Sequence, residues 1–184
     1  YYIGKFPVTQ RQWVAVMGSN PSHFKGDDLP VENVSWTDIQ GFISKLRQVS
    51  GKRYRLLTEA EWEYAARGGS KSKGFKYAGG NRIADVAWYE DNSGAKTHPV
   101  GLQDPNELGI HDMSGNVYEW VSDWFGSYSS GSKVDPAGPS SGSYRVLRGG
   151  SWYSNARYCR VANRNDHSPG NRGNGSGFRL ALSP

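Results

Sequence analysis

The sequence of 184 residues is poor in sulfur and has no long apolar run. Its single cysteine, Cys159, excludes an internal disulfide framework. No stretch approaches the roughly 20 apolar residues of a membrane-spanning helix, so we expect no membrane insertion. The first ten residues are typical of neither a signal peptide nor a transit peptide. A chain of this length suits one hydrophobic core, which predicts a single soluble domain over residues 1–184.

Hydrophobic residues make up only 36% of the chain, yet aromatic residues make up 13%. With 7 tryptophans and 11 tyrosines, the core is expected to consist of few, large side chains. The 24 glycines predict many turns and irregular loops around that core.

Acidic residues are almost missing from the C-terminal quarter. Residues 145–184 contain 7 arginines against one acid, Asp166, a balance of +6, whereas residues 1–144 contain 15 Lys and Arg against 16 Asp and Glu. A C-terminal quarter with this excess of positive charge is typical of a surface that binds nucleic acid. It equally suits arginines that are buried in bidentate structural ion pairs. The apolar sequence contexts of Arg148 and Arg179 favour the structural interpretation.

Three segments near the N-terminus have a hydroxyl residue followed three positions later by an acceptor side chain, the pattern of a capping box. The pairs are Thr9 with Gln12, Ser35 with Asp38, and Thr58 with Glu61. Each segment then reaches a glycine suited to ending a helix, namely Gly18, Gly51 and Gly68. Apolar residues at three-and-four spacing between these points predict three helices in the first seventy residues.

After Gly69 no helical period is sustained, and short aromatic pieces alternate with Gly, Asn, Asp, Ser and Pro clusters. Residues 129–143 are predicted to form a long connection. The stretches "YRVLRGGSW" and "GFRLALS" are predicted to be strands.

Five motifs follow one another along the chain: "LPVENVSWTDIQGFISKL", "YRLLTEAEWEYAARGG", "ELGIHDMSGNVYEW", "RVLRGGSW" and "GFRLAL". In order and spacing they resemble the formylglycine-generating enzyme family, also called the sulfatase-modifying factor domain. The resemblance implies an α+β, C-type-lectin-like fold with a small twisted antiparallel sheet, two main helices and many irregular loops.

The same resemblance bears on catalysis. Enzymes of the family hold copper between two cysteines that follow "GGS", and the matching positions here are Ser154 and Cys159. A serine hydroxyl is a hard, protonated oxygen and cannot replace a thiolate on Cu(I), so we expect no copper. The lone Cys159 is then either a buried apolar residue or a nucleophile, and burial is favoured. An oxidoreductase or accessory factor of the family that works without the two-cysteine site remains an alternative.

A second site implied by the resemblance is a structural Ca²⁺ site in "DMSGNVYE". Its ligands would be the carboxylates of Asp112 and Glu119 and the carbonyl oxygens of Gly115 and Val117, all hard oxygen donors of the kind that Ca²⁺ accepts. The alternative is that Asp112 and Asn116 only cap a turn.

Residues 153–176, which we call segment 153–176, lack Lys, Glu, Gln, Met and Trp altogether. These five are the residues that a codon ending in C cannot encode, and their joint absence from a window this long has roughly one or two chances in a hundred. Asparagine recurs there, and the residues between are mainly Tyr, Ser, Asp, His, Gly and Arg. Each of these can be reached from the Asn codon AAC by changing adenines alone.

This pattern resembles the variable region of diversity-generating retroelement target proteins, in which adenines of a template are corrupted during copying. The resemblance implies a ligand-binding protein with a variable surface, whose unknown ligand is a protein or another macromolecule. Cys159, Val161, Ala162 and Pro169 would be packing positions. The predicted ligand contacts are Tyr153, Ser154, Asn155, Arg157, Tyr158, Asp166, His167, Ser168, Gly170, Asn171, Gly173, Asn174, Gly175 and Ser176. The alternatives are a solvated loop that binds nothing and, less favoured, a nucleic-acid surface.

Overall fold

The computed structural model describes residues 1–128 and 130–183 and has an α+β architecture with two small sheets. Ser129, the first residue of the predicted connection, and Pro184 lie outside the described residues; residues 130–143 contain no helix or strand. The strands are β1 (Tyr2–Ile3), β2 (Tyr54–Leu56), β3 (Tyr118–Trp124), β4 (Arg145–Arg148), β5 (Arg164–His167), β6 (Ser176–Phe178) and β7 (Leu180–Leu182).

The first sheet has three antiparallel strands in the order β1-β7-β2, and the second has four strands in the order β5-β4-β3-β6. In the second sheet β4 is antiparallel to β3 and β5, whereas β6 runs parallel to β3. The predicted antiparallel sheet therefore contains one parallel pair, at the edge where the chain returns after segment 153–176.

Among the described residues, four α-helices accompany the sheets: α1 (Gln10–Met17), α2 (Trp36–Ser50), α3 (Glu59–Ala66) and the short α4 (Ile83–Val86). All three predicted capping boxes are present, with each hydroxyl accepting from the backbone N–H three residues on. Gly18 and Gly51 end their helices in the left-handed conformation. Helix α3 ends slightly earlier than predicted, at a right-handed Arg67 that precedes Gly68. Within the described ranges no helix has the length and apolar content to cross a membrane.

The closing motif "GFRLAL" is two strands rather than one. Strand β6 belongs to the four-stranded sheet and β7 to the three-stranded sheet, and Arg179 lies between them. The guanidinium of Arg179 is fully buried and donates to both carboxylate oxygens of Glu119 on β3. The chain changes sheets at this ion pair, which an apolar pattern does not reveal.

The four-stranded sheet is buried on both faces. On one face Tyr118, Trp120, Leu147 and Phe178 pack against α1 and α2. On the other face Val121 and Val146 pack against Trp62 of α3. Aromatic rings supply much of this volume, as the composition predicts.

Candidate ligand-binding surface

Segment 153–176 begins just after β4, forms a short 3-10 helix at Ala156–Cys159, and then supplies β5 and the start of β6. Since β5 and β6 are opposite edges of the sheet, residues 168–175 must cross from one edge to the other. The crossing is attached to the start of α2, where Thr37 N donates to Pro169 O (3.2 Å) and Asn33 N donates to Gly173 O (2.9 Å). Residues 168–175 thus wrap the side of the sheet that carries α2, whereas Val161 packs with Trp62 on the side that carries α3.

Most of the predicted contact residues lie at the surface. The exposed ones are Tyr153, Asn155, Arg157, Tyr158, His167, Ser168, Gly170 and Asn171, and the half-buried ones are Asp166, Gly173 and Asn174. Eight of the fourteen are therefore well placed for contact with another molecule.

Three predicted contacts are buried, and we correct them to support positions. The Ser154 hydroxyl accepts from Ser151 N (2.9 Å) and closes the turn after β4. Gly175 lies under the ring of Tyr153, where an added Cβ would come within 2.3 Å of a ring carbon. Ser176 is part of β6 and pairs with Tyr118 of β3.

The structure also separates Asp166 from His167. Consecutive side chains of a strand point to opposite faces. The His167 ring lies 6.5 Å from the Trp120 ring, on the face that carries α2. Asp166 pairs with Val146, whose side chain packs on the face that carries α3. Asp166 therefore faces the side that carries α3, away from His167, and its role as a ligand contact stays a prediction.

Side chains outside the segment hold it from below. The Trp152 ring packs edge-on against both Phe24 (5.5 Å between centroids) and Tyr153 (4.8 Å). Its indole N–H donates to Asn174 O (3.0 Å), which ties the two ends of the segment together. Tyr118 is buried beneath them beside Ser154, and burial raises the pKa of its hydroxyl. The sequence pattern gave no indication that Phe24 contributes to this support.

The packing positions are confirmed in part. Cys159 and Val161 are fully buried, Pro169 is half-buried, and Ala162 is exposed, so the assignment of Ala162 is wrong. Burial raises the pKa of the Cys159 thiol to about 12. Near neutral pH this thiol is protonated, which makes it a poor nucleophile and a poor metal ligand.

The four predicted calcium ligands differ in how their oxygens are used. Asp112 is buried, its Oδ2 accepts from Gly101 N (2.7 Å), and its Oδ1 has no hydrogen-bond partner among the described residues. Burial raises the pKa of Asp112. Glu119 has both oxygens bound by Arg179, and Trp62 donates to one of them.

The orphaned oxygen of Asp112 fits a cation ligand, whereas Glu119 is already neutralised by Arg179. Over residues 1–128 and 130–183, no cluster of three or more His, Cys, Asp and Glu side chains could hold a metal ion. A site completed by the carbonyls of Gly115 and Val117 would not need such a cluster, so the Ca²⁺ site stays a prediction.

The arginines of the C-terminal quarter are mostly internal partners. Four of the seven form ion pairs: Arg148 with Glu59 and Glu63, Arg164 with Glu59, Arg172 with Asp38, and Arg179 with Glu119. The guanidinium of Arg145 lies between two indole rings, 3.4 Å from the Trp124 centroid and 3.9 Å from that of Trp36. This geometry favours the structural interpretation of the basic quarter over a nucleic-acid surface.

Comparison with known proteins gives a consistent result. Residues 1–184 match the family model described as the sulfatase-modifying factor enzyme 1-like domain. The solved structure of Treponema denticola variable protein 1 superposes with a TM-score of 0.93 and 39% identity, covering 99% of this chain and 84% of that one. The chaperone protein LppX of Paenibacillus barcinonensis is 35% identical, over 100% of this chain and 80% of its own.

The formylglycine-generating enzyme of Streptomyces coelicolor is 38% identical over 92% of this chain, which covers 60% of the enzyme. The predicted resemblances to this enzyme family and to a retroelement variable protein are confirmed, as is the C-type-lectin-like α+β fold.

Proposed function

Because the chain belongs to the sulfatase-modifying factor enzyme 1-like family, we propose that it is a non-catalytic ligand-binding member whose contact surface is segment 153–176. Its likeness to a protein named a variable protein supports this proposal, since the two share the fold at a TM-score of 0.93. The residue types of the segment support it as well. Tyr, Ser, Gly and Asn are the repertoire of antibody loops, where Tyr supplies contact area and small polar residues adapt their hydrogen bonds.

The observation that carries the proposal is how the segment is attached. Four backbone carbonyl oxygens of the segment accept hydrogen bonds from residues outside it. They belong to Ser154, Pro169, Gly173 and Asn174, and the last of them accepts from the indole N–H of Trp152. These bonds use backbone atoms of the segment, so they do not depend on which side chain each position carries. A loop held in this way can change its side chains without losing its shape, which is what a variable surface requires.

The gene tests the proposal. We expect a near-copy of the bases that encode residues 153–176 close to the gene, beside a reverse transcriptase gene, with differences confined to adenines of the copy. The altered codons should include those of exposed residues such as Tyr153 and Asn171. The codons of the buried Cys159 and Val161 should be unaltered. A gene neighbourhood without such a copy, or differences spread over all four bases, would contradict the proposal.

The second candidate is an oxidoreductase or accessory factor of the formylglycine-generating type, which the 38% identity to such an enzyme favours. Incubation of the protein with copper and a cysteine-containing sulfatase peptide distinguishes it. Ser154 and the protonated Cys159 cannot supply two thiolates, so we expect no aldehyde product by mass spectrometry. An accessory role, which fits the 35% identity to a protein named a chaperone, requires binding to a protein rather than catalysis.

A further inference from the structure

We propose that the ligand is a protein that presents an acidic segment to a basic corner of the surface, formed by Lys76, Arg157 and Arg160. The inference rests on the proposed function and specifies the partner. The corner combines two cations of segment 153–176 with one from outside it.

The backbone brings the three cations together. Val161 N donates to Lys76 O (3.1 Å), which places Lys76 beside Arg160. The Arg160 guanidinium donates through Nε to Arg157 O (2.9 Å). All three side chains are exposed. The Arg157 guanidinium also covers the ring of the exposed Tyr158, 4.5 Å from its centroid.

None of these three cations has an acidic partner among residues 1–128 and 130–183, unlike Arg148, Arg164, Arg172 and Arg179. Neighbouring like charges without counter-charges repel one another, and the fold draws no ion pair from them. Complementary charge on a partner relieves that repulsion and steers the partner to the surface. The exposed Tyr158, stacked on Arg157, adds a flat amphipathic contact of the kind that is frequent at protein interfaces.

Acidic charge beside the start of the segment distinguishes a protein from a nucleic acid as the ligand. Glu90 N donates to Ser154 O (3.1 Å), so the exposed Glu90 and Asp91 lie next to the start of segment 153–176. A continuous polyphosphate would meet these carboxylates. In addition, three free cations are fewer than the roughly six to ten phosphate contacts of an efficient nucleic-acid binder. A folded partner can place acidic residues over the basic corner and neutral or basic residues over Glu90.

The test uses a fluorescein-labelled octaglutamate peptide, octalysine of the same length, and a 12-nucleotide single-stranded DNA, with fluorescence anisotropy as the readout. We expect the wild-type chain to bind octaglutamate at low salt and octalysine weakly or not at all. Arg157→Glu with Arg160→Glu should weaken octaglutamate binding about tenfold or more, because attraction becomes repulsion. The matched control, Lys45→Glu with Lys52→Glu, makes the same charge change at exposed positions on and after α2 and should stay within about twofold.

All four substituted side chains are exposed, so both double variants should keep the wild-type circular dichroism and melting temperature. Equal losses in the two variants would overturn the inference, because binding would then follow net charge alone. Tighter binding of the DNA than of octaglutamate, lost in the corner variant, would overturn it in favour of a nucleic acid. An adenine-altered template copy with no octaglutamate binding would leave the proposed function standing and refute only the basic corner.

Discussion

The arginines of residues 145–184 are interpreted as partners in internal ion pairs. The same substitution, Arg to Gln, at Arg148 and at Arg172 tests this interpretation. The Arg148 side chain is 0% exposed and donates to Glu59 Oε1 (2.5 Å), Glu63 Oε2 (2.7 Å) and Val161 O (2.6 Å). Arg172 is 56% exposed and binds both oxygens of Asp38 (2.7 and 2.8 Å). Arg148 therefore bridges two carboxylates in the interior, whereas Arg172 forms a bidentate pair with one carboxylate at the surface.

Arg148→Gln should lower the free energy of unfolding by about 3 kcal/mol, the lower end of the range for removing one partner of a buried ion pair. Glu59 keeps Arg164 and Glu63 keeps Arg67, but the buried carbonyl oxygen of Val161 loses the Arg148 donor. Arg172→Gln should destabilise the chain far less, because water and salt already screen that exposed ion pair. In a chain of this length the Arg148 substitution corresponds to a melting temperature lowered by about 6 to 12 °C, and the Arg172 substitution should lower it clearly less.

Urea unfolding at pH 7, followed by tryptophan fluorescence and repeated at 0.05 and 0.5 M NaCl, measures both values. The Arg172 effect should shrink with salt and the Arg148 effect should persist. Equal costs at the two sites would refute the reasoning, since burial would then not decide the strength of these ion pairs.

Further predictions concern the surface, the thiol and pH. Tyr153→Ala with Tyr158→Ala should cost about 2 kcal/mol or less by thermal unfolding, because the residues are already 48% and 37% exposed; loss of the folded state would contradict a display role. Cys159 should react with a thiol reagent at pH 8 about a hundredfold more slowly in the native than in the urea-unfolded chain, because burial raises its pKa to about 12; equal rates would show an accessible thiolate. Burial also raises the pKa of Glu32 from 4.5 to about 7. The folded state then binds the extra proton between these values, so wild-type stability should fall as pH rises from about 4.5 to 7 and level off above. Glu32→Gln should remove this fall, so urea unfolding should show the variant gaining relative to wild type from pH 5 to pH 8; the opposite trend would contradict a buried acid.

Local signals predicted the helices well, whereas the surface was predicted only in outline. A capping box such as Thr9 with Gln12 acts within four residues, so the sequence contains all the information that the structure uses. The burial of Gly175 and Ser176 depends on the Tyr153 ring and on pairing with β3, which are distant in sequence or across the sheet. A composition limited to residues that adenine changes in an Asn codon can produce identifies the segment. It does not reveal which side chains of the segment point outward.

The buried glycine sets a limit on how far the surface can vary. The backbone of Gly175 does not have a positive φ, so its conformation would accept any residue. A larger residue is excluded only by the lack of space for its side chain. That space is taken by the Tyr153 ring, whose nearest carbon would be 2.3 Å from an added Cβ, well inside van der Waals contact. A larger residue at position 175 therefore requires the Tyr153 ring to move or to be replaced by a smaller side chain, so the two positions are coupled. The hydrogen bonds of Gly173 and Asn174 involve only their carbonyl oxygens, so the side chains at these two half-buried positions can change without loss of those bonds.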